Sequence, residues 1–458
     1  MARCYCRIAM PELKPAPPLD RTGPLLALFL GIGFIAFIAA FSTVHARSPE
    51  ALPANYVAER SHSRLTYWIT DGYFYYCGML REKSTPDKIV IYRTSTGAYM
   101  LSAFILEKVY VTFTGHYSWR LVALHNQLVS LVLSSLLGML AFRITKRMGL
   151  DSRLAFAAGA SVVMVVFTFP DNLSLYWEMT SQPYFLLFAT IFLLIEERCL
   201  DGRRTPARSL LQAAVVCWMT LTEKVAGLAF VSAMAVTLLV LEPRHGAWRR
   251  FVLVSIAPAL LAIGLYRLQV RTAEKRFPTA EMSGSTLMFR SGLDGESVYY
   301  GDHLDIARHR DLARANWPVN RQYLFRWEWV FILGVISTLA VVAAYIAGRV
   351  PRITVEVLTW LAGGWVIYAA VFSQAFVIHP YLFDVLLFAP LAVALFAVGP
   401  ALAESLTRRT GAILLLVVLC AFWYSLFQMR LYALRNPMPG TRIGRTFDAI
   451  GAPANPHV

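Results

Sequence analysis

The sequence predicts an all-α, polytopic helical membrane protein with about eleven transmembrane helices, and three observations predict it. Of 458 residues, 57% are hydrophobic and only 16% are charged, against roughly 25% in soluble domains. Mean hydropathy is +0.52. The apolar residues fall in repeated runs of about 17–22 residues, each long enough as a helix for a ~30 Å hydrocarbon core. The short loops between runs alternate between basic and nearly uncharged, as positive-inside insertion requires.

An N-terminal arm, 1–23, carries Arg3, Arg7, Lys14 and Arg21 and reads as cytoplasmic. The first apolar run, 24–44, is too long for a signal-peptide core and reads as an uncleaved span. A transmembrane domain over 24–428 then places further spans near 119–141, 154–170, 183–197, 209–221, 226–241, 251–268, 329–347, 357–372, 381–398 and 412–428. The fifth is short, as a broken or tilted helix would be. Loops 142–153, 197–208, 242–250, 348–352 and 404–410 are all basic. The intervening connections 170–182, 222–224 and 373–380 share one basic residue, Lys224. Orientation follows: the N-terminus is cytoplasmic, and the short Pro/Gly-rich tail, 429–458, is external and holds no soluble domain.

Two long segments, 45–118 and 269–328, are external in this scheme. Within the first, AYMLSAFILEKVYVTF (98–113) is apolar yet carries Glu107 and Lys108, so it reads as an interfacial helix lying along the membrane surface. GYFYYCGMLREK (72–83) reads as a helix capped by Asp71. The net charge of +15 is dispersed over loops, which excludes a nucleic-acid-binding stripe. The six cysteines form no disulfide framework, and the Cys4/Cys6 pair is too little for a metal site.

Polar groups beside spans are costly unless paired or functional, and here the notable ones share one membrane face. Asp71 lies among aromatics in YWITDGYFYY, Glu178 precedes the fourth span, and Glu223 with Lys224 forms the turn between the fifth and sixth. His379 stands before Pro380 at the mouth of the tenth, with Asp384 about one turn further in. Each has a plain structural role open to it as well. Asp71 serves as a helix cap, Glu178 as a solvated loop residue, Glu223–Lys224 as an interfacial anchor, and His379 as a helix-entry residue.

This layout resembles the GT-C glycosyltransferases, integral membrane enzymes that take sugar from a polyprenyl-phosphate donor. ITDGYFYYCGML (69–80) is similar to the family's Asp-led first-loop helix, and 95–150 to its loop helix and second span. WEMTSQPYFLLFATIFLL (177–194), LTEKVAGLAF (221–230) and HPYLFDVLLFAP (379–390) resemble its fourth-span entry, five–six turn and late-span entry. The resemblance implies an inverting transfer with Asp71 as base and Tyr67, Trp68, Tyr73 and Tyr75 as a sugar-stacking surface. Lys224 and His379, with Arg93 and Arg120, would hold the donor phosphate, while Glu178 and Glu223 would serve substrate binding. The 269–328 segment would cover the site or select the acceptor. No acidic pair is evident in the first loop, so no cofactor is assigned and a divalent metal stays open. The implied partners are a polyprenyl-phosphate sugar donor, a glycan or lipid acceptor and membrane lipids, with no nucleic acid. The Arg-rich, Ala/Leu-rich composition points to a bacterial inner membrane with the site facing the periplasm. Rival readings are an O-antigen ligase or polymerase, a polytopic lipid or glycan transporter, and a non-catalytic assembly subunit.

Overall fold

The computed structural model describes residues 22–45, 79–82, 85–92, 98–116, 118–168, 181–199, 205–241, 245–279, 281–283, 328–347, 350, 352–371 and 393. Helices dominate the architecture. Two, Leu124–Arg147 and Ala247–Arg276, are long and apolar enough to cross a membrane, and Gly23–Ala39, Ser152–Val166, Lys224–Leu239 and Val335–Ile346 are shorter apolar helices.

The chain enters on α1 (Thr22–His45), an uncharged apolar helix until its last residue. A 3-10 turn, Ala98–Met100, leads into α2 (Leu101–Thr114), which ends where Gly115 takes a φ of 73° and its N–H returns to the Val111 carbonyl at 2.8 Å. This is the helix expected over 98–113. The next, α3 (Trp119–Arg147), starts at Ser118, whose hydroxyl accepts from the Leu121 N–H at 3.3 Å. It outruns the expected 119–141 span by six residues, because Lys146 and Arg147 suit the negative end of a helix. Gly149, at φ 90°, closes it.

α4 (Ser152–Thr168), α5 (Ser181–Cys199), α6 (Pro206–Thr222) and α7 (Lys224–Leu241) follow. α6 is continuous over 17 residues rather than broken. Thr205 caps it, and Pro206 sits where a missing N–H costs nothing. α8 (His245–Phe251) falls where a basic loop was expected. It runs through a π turn, Val252–Ile256, into α9 (Ala257–Arg276). The Ala257 N–H bonds to the Val252 carbonyl just before Pro258, which has no N–H of its own to offer. The helix therefore runs eight residues past the expected end of its span at 268, to Arg276. α10 (Glu328–Ile346) and α11 (Arg352–Val371) complete the described helices. The span expected at 412–428, and that at 381–398 apart from the buried Val393, lie outside the described residues.

Three short strands accompany the helices. β1 (Met79–Glu82) and β2 (Thr85–Tyr92) pair antiparallel, Leu80 opposite Val90, and β3 (Glu281–Ser283) pairs parallel to β2, Val90 opposite Glu281. β1 corrects the expectation of a helix running through 72–83. The Ile89-Val90-Ile91-Tyr92 run has strand rather than helix preferences, and it draws Met79–Glu82 into a hairpin.

The helices pack by close backbone approach. A Cβ on Gly138 of α3 would lie 2.9 Å from the Gly159 carbonyl oxygen of α4, and one on Gly159 would lie 2.6 Å from the Phe29 ring of α1. These three helices therefore meet at two glycines. On the other side α11 packs along α7, where a Cβ on Gly364 would stand 3.1 Å from the Phe230 Cα. Phe192 of α5, Phe230 and Trp360 form an aromatic trio there, with centroids 6.0–6.4 Å apart. Apolar side chains also cover the outside. Leu28, Ile35, Phe113, Leu210, Leu239, Leu260 and Leu339 are all exposed.

Candidate functional site

The two ends of the bundle carry different chemistry. At the end formed by the C-termini of α3 and α5, two buried carboxylates are saturated with basic partners. Glu197 takes Arg143 at 2.6 Å and Arg147 at 2.6 Å, and its carbonyl takes a second Arg147 N–H at 2.9 Å. Glu196 takes Gln212 of α6 at 2.7 Å and both arms of Arg250 of α8. Basic residues of two expected loops, Arg143 and Arg147 of one and Arg250 of the other, thus close a structural clamp. Topology alone does not account for them.

The opposite end holds the turn between α6 and α7. Glu223 breaks the helix with extended backbone (φ −143°, ψ 95°), its N–H bonding to the Met219 carbonyl at 3.0 Å. Its own carbonyl accepts from Gly227 at 2.8 Å, which starts α7. The turn is tight because Gly227 lies against Thr220, where a Cβ would sit 2.7 Å from the Thr220 Cα. Glu223 is buried and Lys224 half-buried. The Lys224 Nζ rests 4.3 Å above the ring of Tyr266 on α9, a cation–π contact that fixes where the ammonium points.

Of the site residues expected from sequence, Glu223 and Lys224 are thus brought together at one turn. Arg120 is placed by its backbone alone, in the first turn of α3. Asp71, Tyr75, Arg93, Glu178 and His379 lie outside the described residues. Among the described residues no three His, Cys, Asp or Glu side chains gather as a metal site.

Two groups at this end carried no signal as site residues in the sequence. α2 presents Ile105, Leu106, Val109, Tyr110 and Phe113 outward, and turns Glu107 inward, where it is 1% exposed. Glu107 Oε1 accepts the backbone N–H of Ser118, the residue that caps α3. A carboxylate from the preceding helix thereby completes a capping box. Burial raises the Glu107 carboxyl from 4.5 to about 7, opposed by that Ser118 hydrogen bond. Its second oxygen, Oε2, is buried with no hydrogen-bond partner.

The other group joins α3 to α5. Tyr184 donates to Asn126 Oδ1 at 2.9 Å, and its hydroxyl lies 3.0 Å from His125 Nδ1. The Tyr99 ring, from the 3-10 turn, packs 5.9 Å from Tyr184. Asn126 is 3% exposed, and among the described residues its Nδ2 has no hydrogen-bond partner, as is true of the buried Thr220 and Thr222 hydroxyls at the same end. Unsatisfied buried polar atoms cost about 1–3 kcal/mol each, but Arg250 Nε in the clamp is another, so what marks this end as the candidate site is the half-buried Lys224 on Tyr266 beside the buried Glu223. Compared with known proteins, the chain matches no family model, no curated protein and no solved structure.

Proposed function

We propose that this chain is a GT-C-type integral membrane glycosyltransferase of about eleven spans. It sits in a bacterial inner membrane with its N-terminus cytoplasmic and its C-terminus periplasmic. It moves a sugar from a polyprenyl-phosphate or polyprenyl-linked donor to a lipid-linked glycan, lipopolysaccharide or other acceptor. The observation that carries this reading is the sheet: β3 of the second long segment pairs with β2 of the first. Asp71 precedes β1 by eight residues, so the loop bearing the expected base is tied to the loop expected to cover the site. Six helical passes, α3 through the continuous α8–α9 rod, separate β2 from β3. An even number returns the chain to one side, in keeping with the alternation of loop charge.

In this mechanism Asp71 takes the proton of an acceptor hydroxyl as its oxygen bonds to the anomeric carbon. The bond from that carbon to the donor phosphate breaks in the same displacement, with inversion. Lys224, held on Tyr266 at a half-buried turn, meets the charge that builds on the leaving phosphate. Glu223 beside it limits the positive charge of the turn. Membranes with Asp71→Asn are expected to insert the protein normally and lose transfer from a polyprenyl-phosphate sugar. Lys224→Ala lowers kcat/KM for donor by about ten- to a hundredfold, the loss of a charge-assisted contact worth about 1.5–3 kcal/mol. Undiminished transfer in both variants would remove the reading.

A further inference from the structure

The His125–Tyr184–Asn126 chain is not used by the displacement just described, and it is expensive to keep. Phe and Leu at these positions would fill the same space between α3 and α5 without leaving a buried amide nitrogen unsatisfied. The chain also has a direction. The single Tyr184 hydrogen goes to Asn126 Oδ1, so His125 Nδ1 must donate to the Tyr184 oxygen, which leaves Nε2 as an acceptor. Turning the amide over reverses every donor and leaves Nε2 as a donor. In either direction the half-buried His125 edge remains for a ligand, as an acceptor in one and a donor in the other, while the remaining amide atom of Asn126 is buried behind it.

A ligand suited to that arrangement both donates and accepts. A phosphate oxygen only accepts and an ammonium only donates, whereas a hydroxyl does both. None of the chain's three members carries a fixed charge, and the Tyr99 and Tyr184 rings pack beside it. A neutral edge that can donate or accept matches a hydroxyl of a sugar ring, and the Tyr99 and Tyr184 rings, both buried, back that edge rather than face the sugar. Lys224, at the same end of the bundle, offers the phosphate chemistry the chain lacks.

We infer that His125, oriented by Tyr184 and Asn126, binds a ring hydroxyl of the hexose carried by the donor lipid. This rests on the glycosyltransferase reading and deepens it by naming where the sugar, as distinct from the phosphate, is recognised. His125 is the contact, and Tyr184 and Asn126 are positioning residues.

The test measures Kd in nanodiscs for bare polyprenyl phosphate and for polyprenyl phosphate carrying one glucose or mannose. Wild type should bind one hexosyl lipid at least about tenfold more tightly than the bare lipid. Tyr184→Phe, which keeps the ring and removes the hydroxyl, should bring that ratio to about one while bare-lipid affinity changes less than about twofold. His125→Gln, at a half-buried position, gives the same readout should the tyrosine variant fail to fold. A ratio near one in wild type, or a ratio unchanged in the variants, overturns the hydroxyl subsite and leaves the donor-lipid reading standing. Wild type that binds neither lipid overturns both.

Discussion

At the scale of single residues, Glu107 shows how a helix can be turned over. Most helices on a protein bury their apolar stripe, but α2 keeps Phe113 85% exposed and hides its carboxylate. That is the arrangement of a helix lying in a lipid interface, with protein rather than water behind it. The burial has a pH signature. The folded state holds the Glu107 proton up to about pH 7, whereas an unfolded carboxyl releases it near 4.5. The folded state therefore binds more protons between these values. Its stability from this group is full below about pH 4.5 and is lost as pH rises to 7. Glu107→Gln keeps an acceptor for Ser118 and carries no charge. It should melt higher than wild type at pH 8 and equal to it near pH 4. Melting curves across that range decide the matter, and a variant-minus-wild-type difference independent of pH would count against a buried carboxyl. The sequence exposed Glu107 only as an interruption of an apolar run. Its inward orientation depends on which face of α2 meets α3, which no local pattern specifies.

At the scale of elements, two joints hold the bundle and each makes a prediction. The Gly138–Gly159 crossing leaves no room for a side chain, so Gly159→Leu must part α3, α4 and Phe29. Overpacking of this kind costs about 1–3 kcal/mol, more against backbone, and should lower the thermal midpoint of purified protein by several degrees. A midpoint within error of wild type would mean the three helices do not meet there. The Glu197 clamp behaves differently. Glu197→Gln leaves Arg143 and Arg147 without their shared counter-charge at positions largely out of solvent. Removing one partner of a buried ion pair costs about 3–5 kcal/mol, so accumulation in membranes should drop sharply. Arg147→Lys, which keeps the charge at the more exposed position, should cost less. Equal losses in the two variants would argue that geometry rather than charge balance matters. Hydropathy found most of the described helices within a few residues, because length and apolarity are local properties, but not the ends of α3 and α9, which run on by six and eight residues through charged turns. It missed α8, since Arg249 and Arg250 read as loop charges until Glu196 and Gln212 are seen across from Arg250. It also missed all three strands, since β1 and β3 are too short to show a period and β2 exists by pairing with both.

At the scale of the whole molecule, the site is less legible than the fold for a related reason. Glu223 and Lys224 stand out in the sequence because they interrupt an apolar run, and the structure places them at a turn. Tyr184 meets Asn126 and His125 across 58 and 59 residues of chain, and each alone is an ordinary polar residue near a helix end. Only the packing of α3 against α5 turns them into one feature. The same packing makes the transmembrane arrangement testable. The turn at Asp151 joins α3 to α4, and Thr279 follows α9; both are exposed, and five passes, α4 to the α8–α9 rod, separate them. An odd number of crossings puts them on opposite faces, and the charge rule makes Asp151 cytoplasmic. In a background with the six native cysteines replaced, Thr279→Cys should react with a membrane-impermeant maleimide in cells whose inner membrane is intact. Asp151→Cys should react only after that membrane is opened. Labelling of both from one side would break the alternation and with it the placement of Asp71 and Lys224 on a common face. The opposite pattern, Asp151→Cys alone reactive in intact cells, would invert the molecule and put the candidate site on the cytoplasmic side.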